Sequence, residues 1–383
     1  KSLSPMAETF LEAAGKYFPE EHYAASLTGG FDGRTLVAAG LYHNRDFTCY
    51  CIGSELSDDL LTAAHVAEGS GLKFIPVITD EKYALEQSLD FGLRFISGSS
   101  GVATFSRSHY ILAASQLASE TRYIITGNFG SEVFRAVHNP GVMISPALYD
   151  VFVSRSPDEA MKKLAANRMT GLLDRTLFQS LLPGLRESVE ALPCFDGKHI
   201  GLSRNQQFYI FVFEEIFRKY FGSEIVNEAP YVTNRTPFLD PFFLRKLLGT
   251  GLAGIHSEFF ENNPLKRFKG QTLYATIIRE AAPDLGHFPT VKGYSPEDLL
   301  SLPGNLRIAA SRIRKKKRVS GAETDPLGVM VAWANNSSFY GELDVDGNIF
   351  DIETAASFSG GHFTDEKARL FSLLYCFHLM NKH

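Results

Sequence analysis

The sequence predicts an α/β protein in which a parallel sheet is flanked by helices and followed by a mainly helical C-terminal region. Short apolar segments typical of buried strands alternate with helical segments up to about residue 140. Glycine-containing loops follow two of these strands. Helical periodicity dominates the rest of the chain. Alternating strands and helices are typical of a parallel sheet that is covered on both faces.

The first 140 residues contain two predicted units. Residues 1–20 are predicted to be an N-terminal helix or linker, because apolar residues recur at helical spacing from Ala7 to Phe18. Residues 21–140 are predicted to be the α/β core. Its strands are predicted in HYAASL, DFTCYCI, LKFIPVI and RYIIT, and its helices in LLTAAHVAEG and SHYILAASQLAS. Both glycine loops come at carboxyl ends of strands, where ligands of such sheets bind.

Residues 141–383 are predicted to form a mainly helical region that completes the site. The helical segments are PDEAMKKLAAN, NQQFYIFVFEEIFRKYF, PFFLRKLL, TLYATIIREAA and LRIAASRIRKKKR. The basic run at 312–318 is either a solvated helix terminus, where cations complement the dipole, or a contact for phosphates or an acidic partner. No role is predicted for residues 304–383.

Composition excludes several classes of protein. A chain of 383 residues with 44% hydrophobic residues can fill a large core. A net charge of -5 argues against a general affinity for nucleic acid or an anionic membrane. No apolar run reaches the length of about 18 residues that a membrane helix needs. Four scattered cysteines do not make a disulfide framework, so a cytoplasmic location is expected.

The loop LTGGFDGRT, at 27–35, follows a predicted buried strand and opens a helix. Gly29 and Gly30 allow backbone N–H groups to approach an anion, and the helix start adds partial positive charge. The loop is neither GxxxxGK[ST] nor GxGxxG. Asp32 would repel a phosphate unless a divalent cation lay between them, so Mg²⁺ is predicted with a phosphate ligand. A structural turn is the alternative.

Four motifs, in order, resemble the synthetase domain of the asparagine synthetase family, which are PP-loop ATP pyrophosphatases with an adenine-nucleotide alpha-hydrolase-like (HUP-like) fold. The first loop resembles the SGGxDS loop, with Thr28 for the first Ser and Gly33 for the last. YIITGNFGSEVF (Tyr123–Phe134) is similar to the family's strand and SG(D/E)GxDE(L/V)F loop. NRTPFLD (Asn234–Asp240) is similar to RxPFLD, and FPTVKGY (288–294) to the RPKxGF lysine loop.

The resemblance implies a site for ATP and Mg²⁺. Asp32 would hold Mg²⁺ beside the pyrophosphate, and Lys292 would neutralise charge that develops on the phosphates. Leu27 and Ile52 would contact the adenine mainly through backbone groups, and Gly127 would lie near the ribose and α-phosphate. The residues assigned to ATP are Leu27, Thr28, Gly29, Gly30, Asp32, Gly33, Ile52 and Gly127.

The second loop departs from the family. Asn128 stands where the family has an acid, Phe129 where it has glycine, and Ser131 where it has a second magnesium-linked aspartate. Glu132 is kept and is predicted to be catalytic, as a ligand or base, or to stabilise the helix dipole. Asn128 is predicted to face the substrate. A catalytically degenerate scaffold or nucleotide-binding protein of the same fold is therefore the alternative.

The segment expected to bind the acid substrate also departs from the family, because ISGSSGVATFSRSHY does not reproduce the family's aspartate-recognition residues. Ser106, Arg107 and His109 are candidates to line that pocket. Arg107 is the strongest candidate, since its planar guanidinium can pair with a carboxylate through two hydrogen bonds. A surface arginine at a helix start is the alternative.

The resemblance implies a ligase that adenylates a carboxylate, releases pyrophosphate and forms an amide with ammonia or an amine. The acid would be a small-molecule, peptide or sugar carboxylate, and asparagine synthesis itself is one case. The family's N-terminal glutaminase domain does not precede residue 1, which is Lys. The expected alternatives are that this domain has been removed, that it belongs to a separate chain, or that free ammonia or a substrate amine replaces it. An unrelated sulfur- or amide-inserting enzyme that shares only the first loop is a third interpretation.

Overall fold

A five-stranded, all-parallel sheet forms the centre of the protein. The computed structural model describes residues 4–134, 145–167, 170–259, 269–308, 328–336, 339, 343, 345–359 and 363–381. The strand order is β3-β2-β1-β4-β5. The strands are β1 (Tyr23–Ser26), β2 (Phe47–Gly53), β3 (Phe74–Ile78), β4 (Tyr123–Ile125) and β5 (Thr233–Arg235). The predicted α/β class, with a parallel sheet flanked by helices, is confirmed.

The four strands predicted before residue 140 are all present, and β1 lies at the middle of the sheet. Ala24 in β1 pairs with Thr48 in β2 and with Ile124 in β4. The fifth strand was not predicted. It pairs with β4 from Tyr123 opposite Thr233 onward, so the sheet takes one edge from the region predicted to be helical.

Helices cover both faces of the sheet and form most of the remaining chain. Up to residue 134 they are α1 (Ser4–Gly15), α2 (Asp32–Tyr42), α3 (Asp58–Gly69), α4 (Ser88–Gly98), α5 (His109–Leu117) and α6 (Gly130–Phe134). Those that follow are α7 (Pro146–Val153), α8 (Pro157–Ala165), α9 (Arg175–Glu190), α10 (Arg204–Phe211), α11 (Phe217–Lys219), α12 (Phe221–Glu228), α13 (Pro241–Leu248), α14 (Lys269–Ala281), α15 (Val329–Asn335), α16 (Ile352–Ser359) and α17 (Asp365–Asn381). Residues 302–308 are also helical, whereas the basic run 312–318 lies outside the described residues.

Side chains of successive strand residues enter two different cores, as the two-residue period of a strand requires. Ala25 and Cys49 belong to the larger core, which also contains residues of α1, α2 and α14. Ala24 and Tyr50 belong to the core on the side of α5. Burial raises the pKa of the Cys49 thiol to about 12, so this cysteine is a neutral core residue.

The RTPFLD segment joins the sheet to α13. Asn234 and Arg235 lie in β5, and a single turn at Pro237–Leu239 follows. Asp240 then caps α13, because its side chain accepts a hydrogen bond from the Phe243 N–H at 2.8 Å. The segment therefore has a structural role at the edge of the sheet.

The described C-terminal residues pack around Trp333 in a separate apolar cluster. The Trp333 ring stacks on Phe105 with a centroid distance of 5.5 Å, which brings this region beside the segment that contains Arg107. No helix within the described ranges combines the length and the apolar character needed to cross a membrane.

Candidate functional site

One pocket brings together the first glycine loop, the start of α6, α14 and the lysine loop. Four residues predicted to bind ATP line this pocket together. They are Gly29, Gly30 and Asp32 of the first glycine loop and Lys292 of the lysine loop. The lining residues are Gly29, Gly30, Phe31, Asp32, Ser131, Gln271, Tyr274, Thr290, Val291 and Lys292. The pocket lies where β1 ends and α2 begins, the edge at which parallel sheets bind ligands.

Two glycines of the first loop are required by close backbone packing. A Cβ atom at Gly29 would overlap the Cγ1 methyl group of Val291, and one at Gly33 would overlap the carbonyl oxygen of Ser26. The Val291 N–H also donates a hydrogen bond to the Gly29 carbonyl at 3.1 Å. The lysine loop is therefore in direct contact with the first glycine loop.

Two N–H groups of this loop have partners within the chain. Gly29 N–H donates to Asp59 Oδ1 at 3.0 Å, and Gly30 N–H donates to Thr28 Oγ1 at 3.3 Å. A bound phosphate would have to replace these oxygens at any N–H group that it used. The Asp59 carboxylate thus lies at the N–H group where the phosphate is predicted to bind.

Asp32 is the first residue of α2, and both of its carboxylate oxygens accept hydrogen bonds. Ser131 Oγ donates to Oδ2 at 2.7 Å, and the Tyr274 hydroxyl donates to Oδ1. A Cβ at Gly130 would lie 2.8 Å from Oδ1, so the second loop can approach this closely only with glycine there. The two glycine loops meet at Asp32.

These residues fit a Mg²⁺ ion that is shared with phosphates. Mg²⁺ is commonly held by one or two protein carboxylates together with substrate phosphates and water. Asp32 supplies one such carboxylate to the pocket. In the described part of the chain, no three His, Cys, Asp or Glu side chains converge as a metal cage. The donor set suits a metal that arrives with its nucleotide.

Lys292 is exposed in a tight turn of the lysine loop. Both the N–H and the hydroxyl of Thr290 donate to the Tyr294 carbonyl at 2.8 Å. Gly293 closes the turn with a φ of 82°, in the left-handed region that glycine adopts readily. The Tyr294 hydroxyl donates to Gln271 of α14 at 3.2 Å, which fixes the turn to a helix.

The second loop follows β4 and lies against the first. A Cβ at Gly127 would approach the Cβ of Asp32 at 3.0 Å. Phe129 has a φ of 70°, a conformation that favours glycine, which is the family's residue at this position. Its ring packs on Phe217 and Phe221 at centroid distances of 4.8 and 4.4 Å, and this aromatic packing compensates for the uncommon backbone conformation.

Several predicted site residues do not line this pocket. Leu27 is fully buried, and its N–H donates to the Tyr50 carbonyl at 2.8 Å. Ile52 is half-buried in β2, and Glu132 is buried in α6 with 7% exposure. The roles assigned to these residues stay predictions.

Arg107 is paired with a carboxylate of the chain itself. Its guanidinium contacts Glu224, which is fully buried, and lies 3.9 Å from the centroid of the Tyr220 ring. Asn128 Nδ2 donates to the other oxygen of Glu224 at 3.0 Å. The two residues predicted to bind substrate thus share one internal partner, and a substrate acid at Arg107 would compete with Glu224.

Ser106 and His109, the other two candidates of this segment, differ in their surroundings: one has a polar partner, and the other has a lowered pKa. Ser106 Oγ shares a hydrogen bond with Thr104 Oγ1 at 2.6 Å. His109 is buried, and burial, followed by the charge of Arg107, lowers the pKa of its imidazole to about 3. The ring is therefore neutral near neutral pH and packs against the tilted ring of Tyr110 at a centroid distance of 4.5 Å.

A second buried acid lies below the second loop. Glu228 accepts a hydrogen bond from Asn234 Nδ2 at 2.6 Å, and Asn234 in turn accepts one from Thr126 at 2.8 Å. Burial raises the pKa of the Glu228 carboxyl to about 7, although Asn234 and Arg107 oppose this shift. Glu228 was not predicted from the sequence, because the segment of α12 that contains it shows no motif.

Four further residues of the site were likewise not predicted, and each is identified by its contacts alone: Tyr274, Gln271, Asp59 and Glu224.

No protein-family model and no curated protein matches the chain. The assignment of a function to this pocket therefore depends on its residues and on the resemblance of the four motifs.

Proposed function

We propose that the chain is an asparagine-synthetase-like, ATP-dependent ligase with a PP-loop, HUP-like core. The observation that supports it most is that Gly29, Asp32 and Lys292, which the resemblance assigned to one ATP site from two separate motifs, line a single pocket. Chance similarity of unconnected segments gives no reason for these residues to meet.

The proposed roles follow from the chemistry of each group. The N–H groups of Gly29 and Gly30 would bind phosphate oxygens, and Asp32 would hold Mg²⁺. Mg²⁺ supplies positive charge that neutralises the pyrophosphate. Lys292, a compact ammonium group, would stabilise the charge that develops as the α-phosphorus is attacked.

In the proposed reaction a carboxylate oxygen attacks the α-phosphorus of ATP, a new P–O bond forms, and the bond from that phosphorus to the bridging oxygen breaks. Pyrophosphate leaves with the electron pair. Ammonia or an amine then attacks the acyl carbon, AMP leaves, and the nitrogen gives a proton to water or to a base, for which Glu132 is the candidate. The acid would be a small-molecule, peptide or sugar carboxylate, and a cytoplasmic location belongs to the same proposal.

A catalytically degenerate protein of the same fold is the second candidate, and one observation favours it. Two polar groups of the loop already have internal partners, since Asp59 accepts from Gly29 N–H and Ser131 donates to Asp32. Such a protein would bind nucleotide weakly or not at all and would catalyse no pyrophosphate exchange.

Calorimetric titration with ATP and Mg²⁺ tests the site without knowledge of the substrate. The parent chain should bind ATP, and Asp32→Asn should weaken binding only when Mg²⁺ is present. Lys292→Ala should weaken binding in either condition, by about tenfold, the effect of losing one charge-assisted contact. Arg155→Ala on the protein surface is the control for a lost positive charge.

Exchange of labelled pyrophosphate into ATP, screened with carboxylates beginning with aspartate, then distinguishes the two candidates. Carboxylate-dependent exchange that is lost in Lys292→Ala supports the ligase. Binding without exchange for any acid favours the degenerate protein, and a folded parent that does not bind ATP at about millimolar concentration contradicts the nucleotide site itself.

A further inference from the structure

Arg34 is an arginine with no exposure to solvent, two residues after Asp32 on the first turn of α2. Burial lowers the pKa of its guanidinium to about 10. A buried cation is costly unless its N–H groups have good acceptors. The partners of Arg34 are two backbone carbonyls, from Phe288 at 2.5 Å and from Pro289 at 3.2 Å.

These two carbonyls immediately precede the turn that contains Lys292. The turn itself is closed by hydrogen bonds between Thr290 and Tyr294. Its first part is held to the glycine loop by the bond from Val291 N–H to the Gly29 carbonyl. Arg34 therefore joins the base of the turn to the same helix that presents Asp32 to the pocket.

The Phe288 side chain adds a further restraint on the base of the turn. Its ring lies 5.5 Å from the ring of His65 in α3, and a Cβ at Gly69 would lie 2.6 Å from a ring atom. The carbonyls that Arg34 binds are thus presented by a packed segment.

We infer that Arg34 is a positioning residue that fixes the Lys292 turn against the glycine loop, so that the ammonium group and Asp32 face one bound ligand. A fork of two N–H donors is suited to two successive carbonyls, whereas lysine offers a single nitrogen. The link to ligand binding rests on the proposed nucleotide site, but the effect on the turn does not.

Hydrogen exchange followed by mass spectrometry tests the effect on the turn in the full chain. In Arg34→Met the peptide that spans 288–294 should exchange about tenfold faster than in the parent, while β1 is unchanged. Arg34→Lys should give an intermediate rate. Leu117→Ala, a buried change in α5 on the other face of the sheet, should leave the 288–294 peptide unchanged.

A double-mutant cycle of ATP affinity tests whether Arg34 acts through Lys292. Arg34→Met and Lys292→Ala should each weaken binding by about tenfold, and the double variant should be no weaker than Lys292→Ala alone. Additive losses in the cycle, or unchanged exchange at 288–294 in both Arg34 variants, would overturn the inference. If the parent does not bind ATP, the proposed function fails and the exchange rates alone decide the role of Arg34.

Discussion

Ser131 Oγ donates a hydrogen bond to Asp32 Oδ2 at 2.7 Å, across the contact between the two glycine loops. The family that the sequence resembles has a second magnesium-linked aspartate at the position of Ser131. A hydroxyl group in this chain thus contacts the carboxylate directly, where the family's two acids are joined through a metal.

This contact predicts that Ser131→Asp makes folding stability depend on Mg²⁺. Two carboxylates in contact repel each other, and a divalent cation between them removes the repulsion. The melting temperature of Ser131→Asp should be below that of the parent in chelator and should rise on addition of Mg²⁺. Thermal unfolding with and without Mg²⁺ measures this.

Ser131→Ala is the control, because it removes the hydrogen bond without adding a charge. It should lower the free energy of unfolding by about 1 kcal/mol with no added dependence on Mg²⁺. Equal melting temperatures of Ser131→Asp in chelator and in Mg²⁺ would contradict the contact.

The buried pair of Arg107 and Glu224 leads to a second prediction. Arg107→Met should lower the free energy of unfolding by about 3–5 kcal/mol, because it leaves the Glu224 carboxylate buried without its cation. Glu224→Gln in the same chain removes that charge and keeps an acceptor for Asn128, so the double variant should recover about half of the loss. Urea unfolding of the four proteins gives the coupling energy.

An Arg107 side chain on the surface, without the Glu224 contact, would give a different change in the free energy of unfolding. An exposed arginine at a helix start would change stability by less than about 0.5 kcal/mol in Arg107→Met, with no recovery in the double variant. The experiment needs no ligand, so it is independent of the proposed function.

The strands whose side chains enter a core could be predicted from the sequence. The segments around β1 to β4 are apolar runs, and each is a strand in the structure. β5 was missed because Thr233–Arg235 has no apolar residue. It is held by main-chain pairing with β4 and by the hydrogen bond from Asn234 to Glu228. The Arg235 guanidinium also lies over the Tyr123 ring, with its central carbon 4.5 Å from the ring centroid.

The site was predictable only in part for a similar reason. The residues of the first glycine loop identified Asp32, and the resemblance of the lysine loop identified Lys292; the two line one pocket. The partners of Asp32 and Arg107 depend on how α14 and α12 pack, and nothing in the local sequence of Tyr274 or Glu224 indicates it. Long-range side-chain pairing is a property of the assembled core.

Glu228 leads to a prediction about pH. Its folded-state pKa of about 7 lies above the ordinary value, so between about pH 4.5 and 7 the folded state binds more protons than the unfolded state. Stability is therefore lost as the pH rises through this range. Arg107, Tyr50 and Tyr110 are the charged or titratable groups coupled to this carboxyl.

Glu228→Gln keeps an acceptor for Asn234 and cannot ionise. Relative to the parent, the variant should gain on the order of 3 kcal/mol of unfolding free energy between about pH 4 and pH 8. Urea unfolding across this range measures the difference, with the exposed Glu187→Gln as control. Parallel curves for parent and Glu228→Gln would show that the carboxyl does not titrate in this range.

The contact between Asp59 and Gly29 predicts that an acid of the chain weakens anion binding. Asp59 Oδ1 accepts from the N–H that a phosphate would use. Asp59→Asn keeps an oxygen acceptor but removes the charge, so repulsion of the ligand falls while the loop geometry is retained. The affinity for ATP, or for pyrophosphate alone, should rise by about tenfold at low salt, and the gain should shrink as ionic strength increases.

Asp58→Asn provides a closely matched control for this effect. Asp58 is the adjacent exposed residue in the first turn of α3, so its substitution changes the net charge and the helix start in the same way. The carboxylate that accepts from the Gly29 N–H is that of Asp59, so Asp58→Asn should raise affinity by less than about twofold. Equal gains in the two variants would mean that only the overall field of the helix start matters, whereas a gain confined to Asp59→Asn identifies the Gly29 N–H as the position that the anion occupies.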